Sequence, residues 1–298
     1  MECAQHVNGN SMSPKVRSLA SAILALLASV PFAFAQEHAQ GPHTVVTLIS
    51  ERRSLVPGSR VWMGVWFRVE KGWHIYWKNP GDSGEPAKIQ WELPPRFHVG
   101  SIEWPAPERL AAPSIVDYGY ENEAVLIAPM RVAAGLKNGE KETIAANVNW
   151  LVCREICIPG KAQVSLTLPV SSVVRGWKGS ASSADVAMLI GARAKVPKPL
   201  PATWKVSATA EKNDFVLTIE TRKPERAATF FPLEPEQIKN DATQLATPFS
   251  RGVRLRLQKS DGLLKPIAQL RGVLELGAGT GRAYQIAVPV RAVAAENR

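Results

Sequence analysis

Hydrophobic and polar residues alternate in short runs from residue 43 onward, and the runs are rich in β-branched and aromatic side chains. Such runs, when turn residues bound them, are typical of β-strands. Turn signals such as Asn79-Pro80-Gly81-Asp82 and Lys137-Asn138-Gly139 separate the runs. The strands predicted for the first half cover residues 44–49, 61–69, 88–92, 124–132, 143–152 and 162–168. Short strands at this spacing predict an antiparallel β-sandwich.

This pattern is interrupted between residues 171 and 201. Residues 184–195 have the apolar spacing of one short helix, with Val186, Leu189 and Ile190 on one face. Residues 196–201 read as a stiff, Pro-rich linker. The β pattern then resumes at residues 204–210, 215–220, 227–231, 253–257, 266–276 and 284–290. The sequence therefore predicts an all-β protein with two antiparallel β-sandwich domains, joined by a short helix and a Pro-rich linker.

The amino terminus has the features of a secretory signal. Lys15 and Arg17 precede an apolar run over residues 19–34, and Ala33-Phe34-Ala35 is an A-x-A cleavage site. We therefore expect residues 1–35 to be a signal peptide that is cleaved near Gln36. An uncleaved anchor is the alternative. The remaining boundaries are predicted at residues 36–172 for the first domain, 173–201 for the helix and linker, and 202–298 for the second domain.

Charge and hydropathy then exclude several classes of function. The chain has 298 residues and a formal net charge of +10, but its basic residues are scattered and form no run of five. We therefore expect no nucleic-acid partner, and we attribute the charge to solubility and to attraction toward acidic partners or anionic surfaces. No apolar stretch beyond the amino terminus approaches 18 residues, so we expect no transmembrane domain.

Two cysteines remain after removal of residues 1–35, and they lie four positions apart. In an extended strand Cys153 and Cys157 would stand about 13 Å apart, whereas a disulfide needs Cα atoms within roughly 7 Å. A bonded pair therefore requires the chain to fold back at residues 154–156, with a turn at Pro159-Gly160 leading into the next strand. The closed ring is short, and it would stabilise the fold by only about 2 kcal/mol.

The spacing alone leaves three interpretations of this pair open: a redox-active centre, a structural clip and part of a metal site. Arg154 would favour a thiolate at Cys153, while Glu155 would oppose one. The histidines of the mature chain fit no familiar zinc spacing. The segment at residues 81–84 looks like a serine-protease nucleophile motif, but without a matching histidine motif it is better explained as a turn.

Four ordered segments resemble a known family. They are residues 72–84 (GWHIYWKNPGDSG), 102–107 (IEWPAP), 118–121 (YGYE) and 150–159 (WLVCREICIP). Together they resemble the amino-terminal periplasmic domain of the DsbD thiol:disulfide interchange family, and most closely its suppressor-of-copper-sensitivity branch. The resemblance covers about residues 43–170. Residues 230–232 and 270–274 resemble the second extracytoplasmic β domain of that branch.

This resemblance implies immunoglobulin-like sandwiches and assigns roles to particular residues. Cys153 and Cys157 match the redox cysteines, and Asp117, Tyr118 and Gly119, followed by Tyr120, match a cap loop that shields them. No cofactor and no metal are implied. Three residues separate the cysteines, as in the copper-sensitivity branch, rather than the five of other members. Since the chain ends at Arg298 without a membrane domain, we expect electrons to pass through a separate membrane electron-transfer protein and thioredoxin-like periplasmic proteins.

The function predicted from the sequence is periplasmic thiol–disulfide interchange of the protein-disulfide reductase type, through mixed disulfides at Cys153 and Cys157. The second domain has no Cys and no His, so we expect it to act as a spacer or docking element. The alternative is a non-catalytic periplasmic binding module, linked to copper tolerance, in which the disulfide only pins a loop.

Overall fold

The computed structural model describes residues 38–112, 115–171, 184–277, 279 and 281–292. The predicted signal peptide therefore lies outside the described residues. The strands of the first half are β1 (His38–Gly41), β2 (Thr44–Ser50), β3 (Arg60–Val69), β4 (His74–Gly81), β5 (Lys88–Glu92), β6 (His98–Val99), β7 (Glu108–Ala112), β8 (Ile115–Glu121), β9 (Glu123–Arg131), β10 (Lys141–Cys153) and β11 (Cys157–Pro169).

One helix and eight strands follow in the second half. They are α1 (Ala184–Lys195), β12 (Lys198–Pro199), β13 (Lys205–Ala210), β14 (Asp214–Glu220), β15 (Ala228–Pro232), β16 (Leu245–Phe249), β17 (Gly252–Gln258), β18 (Gln269–Leu276) and β19 (Ala283–Ala292). Within the described residues, no helix has the length and hydropathy that a membrane span requires.

Two antiparallel sheets form the first half. One has the strand order β1-β2-β3-β9-β6, and the other has the order β11-β10-β4-β8-β7, with β5 also paired to β10. Alternate residues of both sheets point into one apolar cluster, which includes Val46, Phe67, Trp77 and Val148. Burial of this surface is the main stabilising contribution to the fold. The predicted all-β, immunoglobulin-like sandwich is confirmed.

Helix α1 covers the outer face of the first sheet. Leu189 and Ala192 pack against Ile49 and Ile127, and a Cβ atom added at Gly64 would lie 2.8 Å from the Leu189 side chain. Glycine at this position therefore lets the helix approach the sheet closely. The predicted helical face is partly wrong, because Ile190 is 48% exposed. The helix packs on the first sandwich through a face that includes Met188 and Ala192 instead.

The second half is one hydrogen-bonded sheet of eight strands, with the order β15-β18-β19-β13-β14-β17-β16 and β12 paired to β19. It surrounds a second apolar cluster that includes Phe215, Leu255 and Leu274. Most pairs are antiparallel, as expected, but β12 and β13 both run parallel to β19. Residues 198–199 of the predicted linker are thus a short strand at the edge of this sheet.

A shared core joins the two halves. Phe231 and Val273 of the second half belong to the apolar cluster of the first half. The ring of Phe231 meets Trp77 and Tyr118 edge to face, with centroid distances of 6.5 and 5.4 Å. These two aromatic residues lie in β4 and β8, so the second half packs directly against the strands next to the cysteine hairpin.

Candidate redox site

The two cysteines close the end of the β10–β11 hairpin. Thirteen residue pairs hold the two strands in register, and the last of them is Cys153 with Cys157. Their Cα atoms are 4.2 Å apart and their sulfurs are bonded. The chain folds back at residues 154–156, where the Arg154 amide donates a hydrogen bond to the Ile156 carbonyl. The predicted reversal at these residues is therefore observed.

The predicted turn at Pro159-Gly160 is wrong, because both residues lie within β11. Gly160 stands opposite Trp150 in the ladder, and an added Cβ would lie 2.2 Å from the indole of Trp150. The glycine is therefore needed because the indole occupies the space beside its Cα. Trp150 in turn packs edge to face on Phe67 of the core, and this contact anchors the cysteine end of the hairpin on the core.

Exposure differs sharply between the two cysteines. Cys153 is 2% exposed, whereas Cys157 is an exposed residue at the start of β11. Next to Cys157 stands Ile156, whose exposed fraction of 65% is unusual for an apolar side chain. Cys157 is therefore accessible at the protein surface, while Cys153 is covered.

Arg154, at the tip of the hairpin, packs on an aromatic ring. Its guanidinium lies over the ring of Trp73, 5.1 Å from the centroid. The same indole stacks on His43 at 3.8 Å. The cation–π contact accounts for the position of this arginine and orients the hairpin tip against the start of β4.

Strand β4 supplies the polar groups beside the sulfurs. His74 pairs directly with Cys153 across β4 and β10. Two residues later, the hydroxyl of Tyr76 lies 3.4 Å from Sγ of Cys157 and 3.2 Å from Oγ of Ser83. Tyr76 is 1% exposed, and this burial raises the pKa of its phenol, with the nearby Asp117 carboxylate acting in the same direction. The phenol therefore keeps its proton throughout the physiological pH range.

A sharp turn brings Ser83 to this position. Gly81 and Gly84 have φ angles of 93° and 74°, in the left-handed region that favours glycine. A Cβ atom at Gly84 would lie 2.1 Å from the ring of Tyr76. The segment at residues 81–84 is thus a turn, as the sequence predicts, and it presses against the tyrosine next to the disulfide.

The four residues predicted to form a cap loop lie in strand β8 rather than in a turn. Asp117 is 4% exposed and accepts hydrogen bonds from the Ser83 amide and hydroxyl, both at 2.9 Å. One Asp117 oxygen is 3.7 Å from Nε2 of His74, a buried nitrogen without a hydrogen-bond partner. Asp117 therefore reaches the disulfide through Ser83 and Tyr76.

The other three residues of this segment serve the packing of β8. A Cβ atom at Gly119 would lie 2.2 Å from the Ile75 carbonyl oxygen, so glycine allows β4 and β8 to pair. The Tyr118 hydroxyl donates to Asn240 and the Tyr120 hydroxyl donates to the Pro105 carbonyl. Burial raises the pKa of both phenols.

Sequence reasoning missed His74, Tyr76, Ser83 and Asn240 as members of the site. The first three lie in the motif at residues 72–84, so the motif itself was the available signal. Asn240 carries no local signal, because it is 122 residues from its partner Tyr118. Within the described part of the chain, no three His, Cys, Asp or Glu side chains converge as metal ligands would.

Comparison with known proteins gives a family match and a similar structure. Residues 46–169 match the family described as thiol:disulfide interchange protein DsbD, N-terminal. No curated protein sequence matches the chain. The N-terminal periplasmic domain of ScsB from Proteus mirabilis is similar in structure, with a TM-score of 0.61 and 16% identity over 86% of this chain and 99% of that one.

The periplasmic chaperone SfaE and the YadV chaperone also align. Each has 10% identity and a TM-score of 0.23. The SfaE alignment covers 83% of this chain and 100% of that one, and the YadV alignment covers 82% and 98%. These scores are too low to carry an argument. The ScsB domain shows the shared fold, and the family match covers the hairpin that bears the disulfide. Residues 46–169 of this chain are therefore similar to the N-terminal domains of the DsbD thiol:disulfide interchange family.

Proposed function

We propose that this protein carries out thiol–disulfide interchange through Cys153 and Cys157, with Cys157 as the sulfur that bonds to the partner. The observation that carries this proposal is the difference in exposure between the two cysteines at one hairpin end, 2% for Cys153 against an exposed Cys157. The match of residues 46–169 to the DsbD N-terminal family supports it.

The exchange proceeds in two steps. A thiolate of a reduced partner attacks Sγ of Cys157, a mixed disulfide forms, and the Cys153–Cys157 bond breaks with Cys153 leaving as a thiolate. The second partner thiolate then attacks the partner's own sulfur and releases Cys157 as a thiolate. The partner dithiol is oxidised to a disulfide, and its two electrons remain on Cys153 and Cys157. The reverse sequence reduces an oxidised partner.

The residues around the disulfide support each step. The phenol of Tyr76, 3.4 Å from Cys157, is placed to donate a hydrogen bond to the thiolate of the reduced form. Asp117 holds Ser83, and Ser83 holds the phenol, so the segment Asp117–Tyr120 contributes to shielding from within the sheet. Ile156 offers apolar surface to the docking protein.

We further propose the cellular setting that the family implies. The protein is exported to the periplasm after loss of residues 1–35, with residues 36–172 as the redox domain and residues 202–298 as a second domain. Its partners are a membrane electron-transfer protein and thioredoxin-like periplasmic proteins.

The test is to trap the mixed disulfide. We expect Cys153→Ser to accumulate a reducible adduct on non-reducing gels of periplasmic extract, because the resolving thiol is absent and Cys157 stays linked. Cys157→Ser and the double variant are the matched controls and should accumulate none. An adduct only with Cys157→Ser would reverse the roles of the two cysteines. No adduct with either single variant would favour the non-catalytic binding module.

A further inference from the structure

Asn240, a buried residue of the second half, is hydrogen-bonded to the turn beside the disulfide. Its Nδ2 donates to Asp82 at 2.8 Å, and its Oδ1 accepts from the Tyr118 hydroxyl at 2.8 Å. Its backbone carbonyl accepts from Arg109, also at 2.8 Å. Asn240 is 9% exposed. Both polar groups of its side chain thus bond to residues of the first half.

Asp82, the partner of Asn240, lies in the turn at residues 81–84 and links it to β8. One of its carboxylate oxygens faces Asn240, and the other accepts the Val116 amide of β8 at 2.7 Å. The Asp82 amide donates to the Val116 carbonyl. The carboxylate therefore bridges the second half and β8, and it fixes where the following residue, Ser83, must lie.

The hydroxyl proton of Ser83 is already used in a hydrogen bond to Asp117. The Asp117 carboxylate can only accept, so the Ser83 hydroxyl donates its one proton to Asp117. Oγ of Ser83 can then only accept from Tyr76, which lies 3.2 Å away. The single phenol proton of Tyr76 therefore has two acceptors, Ser83 and Cys157. A disulfide sulfur is a weak acceptor and a thiolate is a strong one, so the proton turns toward Cys157 when the pair is reduced.

We infer that Asn240 is a positioning residue for the redox site, because it holds the Asp82-Ser83 turn that places the Tyr76 hydroxyl over Cys157. This inference rests on the proposed function, and it gives the second half a role beyond spacing or docking. Gly84 of this turn packs against the Tyr76 ring. Loss of the Asn240–Asp82 bond lets the turn and the ring shift together, and the hydroxyl then stabilises the Cys157 thiolate less well.

The test is the pH dependence of Cys157 alkylation in the reduced full-length protein, with the modified cysteine identified by mass spectrometry. Asn240→Asp keeps an oxygen for Tyr118 but replaces the donor to Asp82 with a carboxylate. We expect the pH midpoint of alkylation to rise by about half a unit, so that the rate at pH 7 falls roughly threefold. If this variant does not fold, Asn240→Ala is measured in the same way.

A double-mutant cycle separates positioning from general loosening. In a Tyr76→Phe background, Asn240→Asp should cause no further shift, because the group through which it acts is gone. Gln244→Ala is the matched control. It removes two hydrogen bonds with the backbone of Phe230 inside the second half, and it should leave the midpoint unchanged.

Three results would overturn the inference: no shift with Asn240→Asp, an equal shift in the Tyr76→Phe background, or an equal shift with Gln244→Ala. The alkylation assay uses no partner, whereas the trapping experiment depends on one. Failure of the inference and failure of the proposed function therefore appear as separate results.

Discussion

We expect Tyr76 to stabilise a thiolate at Cys157, because its hydroxyl lies 3.4 Å from that sulfur. Burial and the hydrogen bond from the phenol act on different groups. Burial raises the pKa of the phenol and keeps it protonated, whereas the hydrogen bond lowers the pKa of the thiol that it reaches. The tyrosine therefore remains a hydrogen-bond donor near neutral pH.

Replacement of Tyr76 by phenylalanine should make the reduced pair less reactive near neutral pH. Without the hydroxyl the Cys157 thiolate loses a charge-assisted hydrogen bond, and we expect its alkylation midpoint to rise by about one unit. Iodoacetamide rates measured between pH 5 and 10 (about the range in which a thiol titrates) would show the shift. Tyr120→Phe is the matched control, since it removes another buried hydroxyl, which binds the Pro105 carbonyl. Equal midpoints for wild type and Tyr76→Phe would contradict the assigned donor.

At the scale of elements, the hairpin depends on glycine and tryptophan at paired positions. In Gly160→Ala the new methyl group and the Trp150 indole would overlap, and we expect a loss of about 1–3 kcal/mol in the free energy of unfolding. Gly191→Ala is the control, because an added Cβ there meets nothing within 4 Å on the helix surface. It should stabilise the protein by about 0.5–1 kcal/mol. Urea denaturation of both variants measures the two changes in the free energy of unfolding, which should have opposite signs. No change in Gly160→Ala would show that the indole moves freely.

Reduction of the disulfide should leave this hairpin folded. The ladder of β10 and β11 and the core beneath it do not depend on the bond, whose small ring contributes about 2 kcal/mol. We therefore expect Tm to fall by no more than about 8 °C, with the transition still cooperative. Calorimetry with and without a phosphine reductant tests this, and the variant lacking both cysteines should not respond to the reductant. Loss of the transition on reduction would make the bond structural.

The elements differ in how well the sequence predicts them. Strands such as β2, β3 and β14 are rich in β-branched and other apolar residues, and the sequence predicts them to within a residue or two. Strand β8 was not predicted, because Asp117 and Gly119 interrupt its pattern and both are explained only by contacts with the distant β4. The same holds for Gly160, which resembles a turn residue in sequence and is a strand residue because of Trp150. Local patterns thus predict the sandwich, while the polar shell of the site arises from contacts far apart in sequence.

At the scale of the whole molecule, the shared core predicts that the two halves unfold together. Phe231 is 2% exposed and lies between Trp77 and Tyr118. Phe231→Ala should cost about 3–5 kcal/mol and should separate the unfolding curves followed by tryptophan fluorescence and by circular dichroism. Phe215→Ala removes the same volume inside the second cluster only, and its two curves should coincide. Curves that already differ in the wild type would show that the halves are independent.

The β10–β11 ladder has one more consequence, which concerns time. After the first exchange step, the register still holds Cys153 opposite Cys157, with Cα atoms 4.2 Å apart in the oxidised form. The free Cys153 thiolate is then held next to the sulfur that it attacks. The effective molarity of such well-oriented groups reaches about 10⁵ M or more. Attack of the Cys153 thiolate on Cys157, which re-forms the Cys153–Cys157 disulfide, should therefore be faster than reaction with a second partner molecule. A docked protein that does not complete its own exchange is then released unchanged. A rigid hairpin in this way limits how long an unproductive complex can survive.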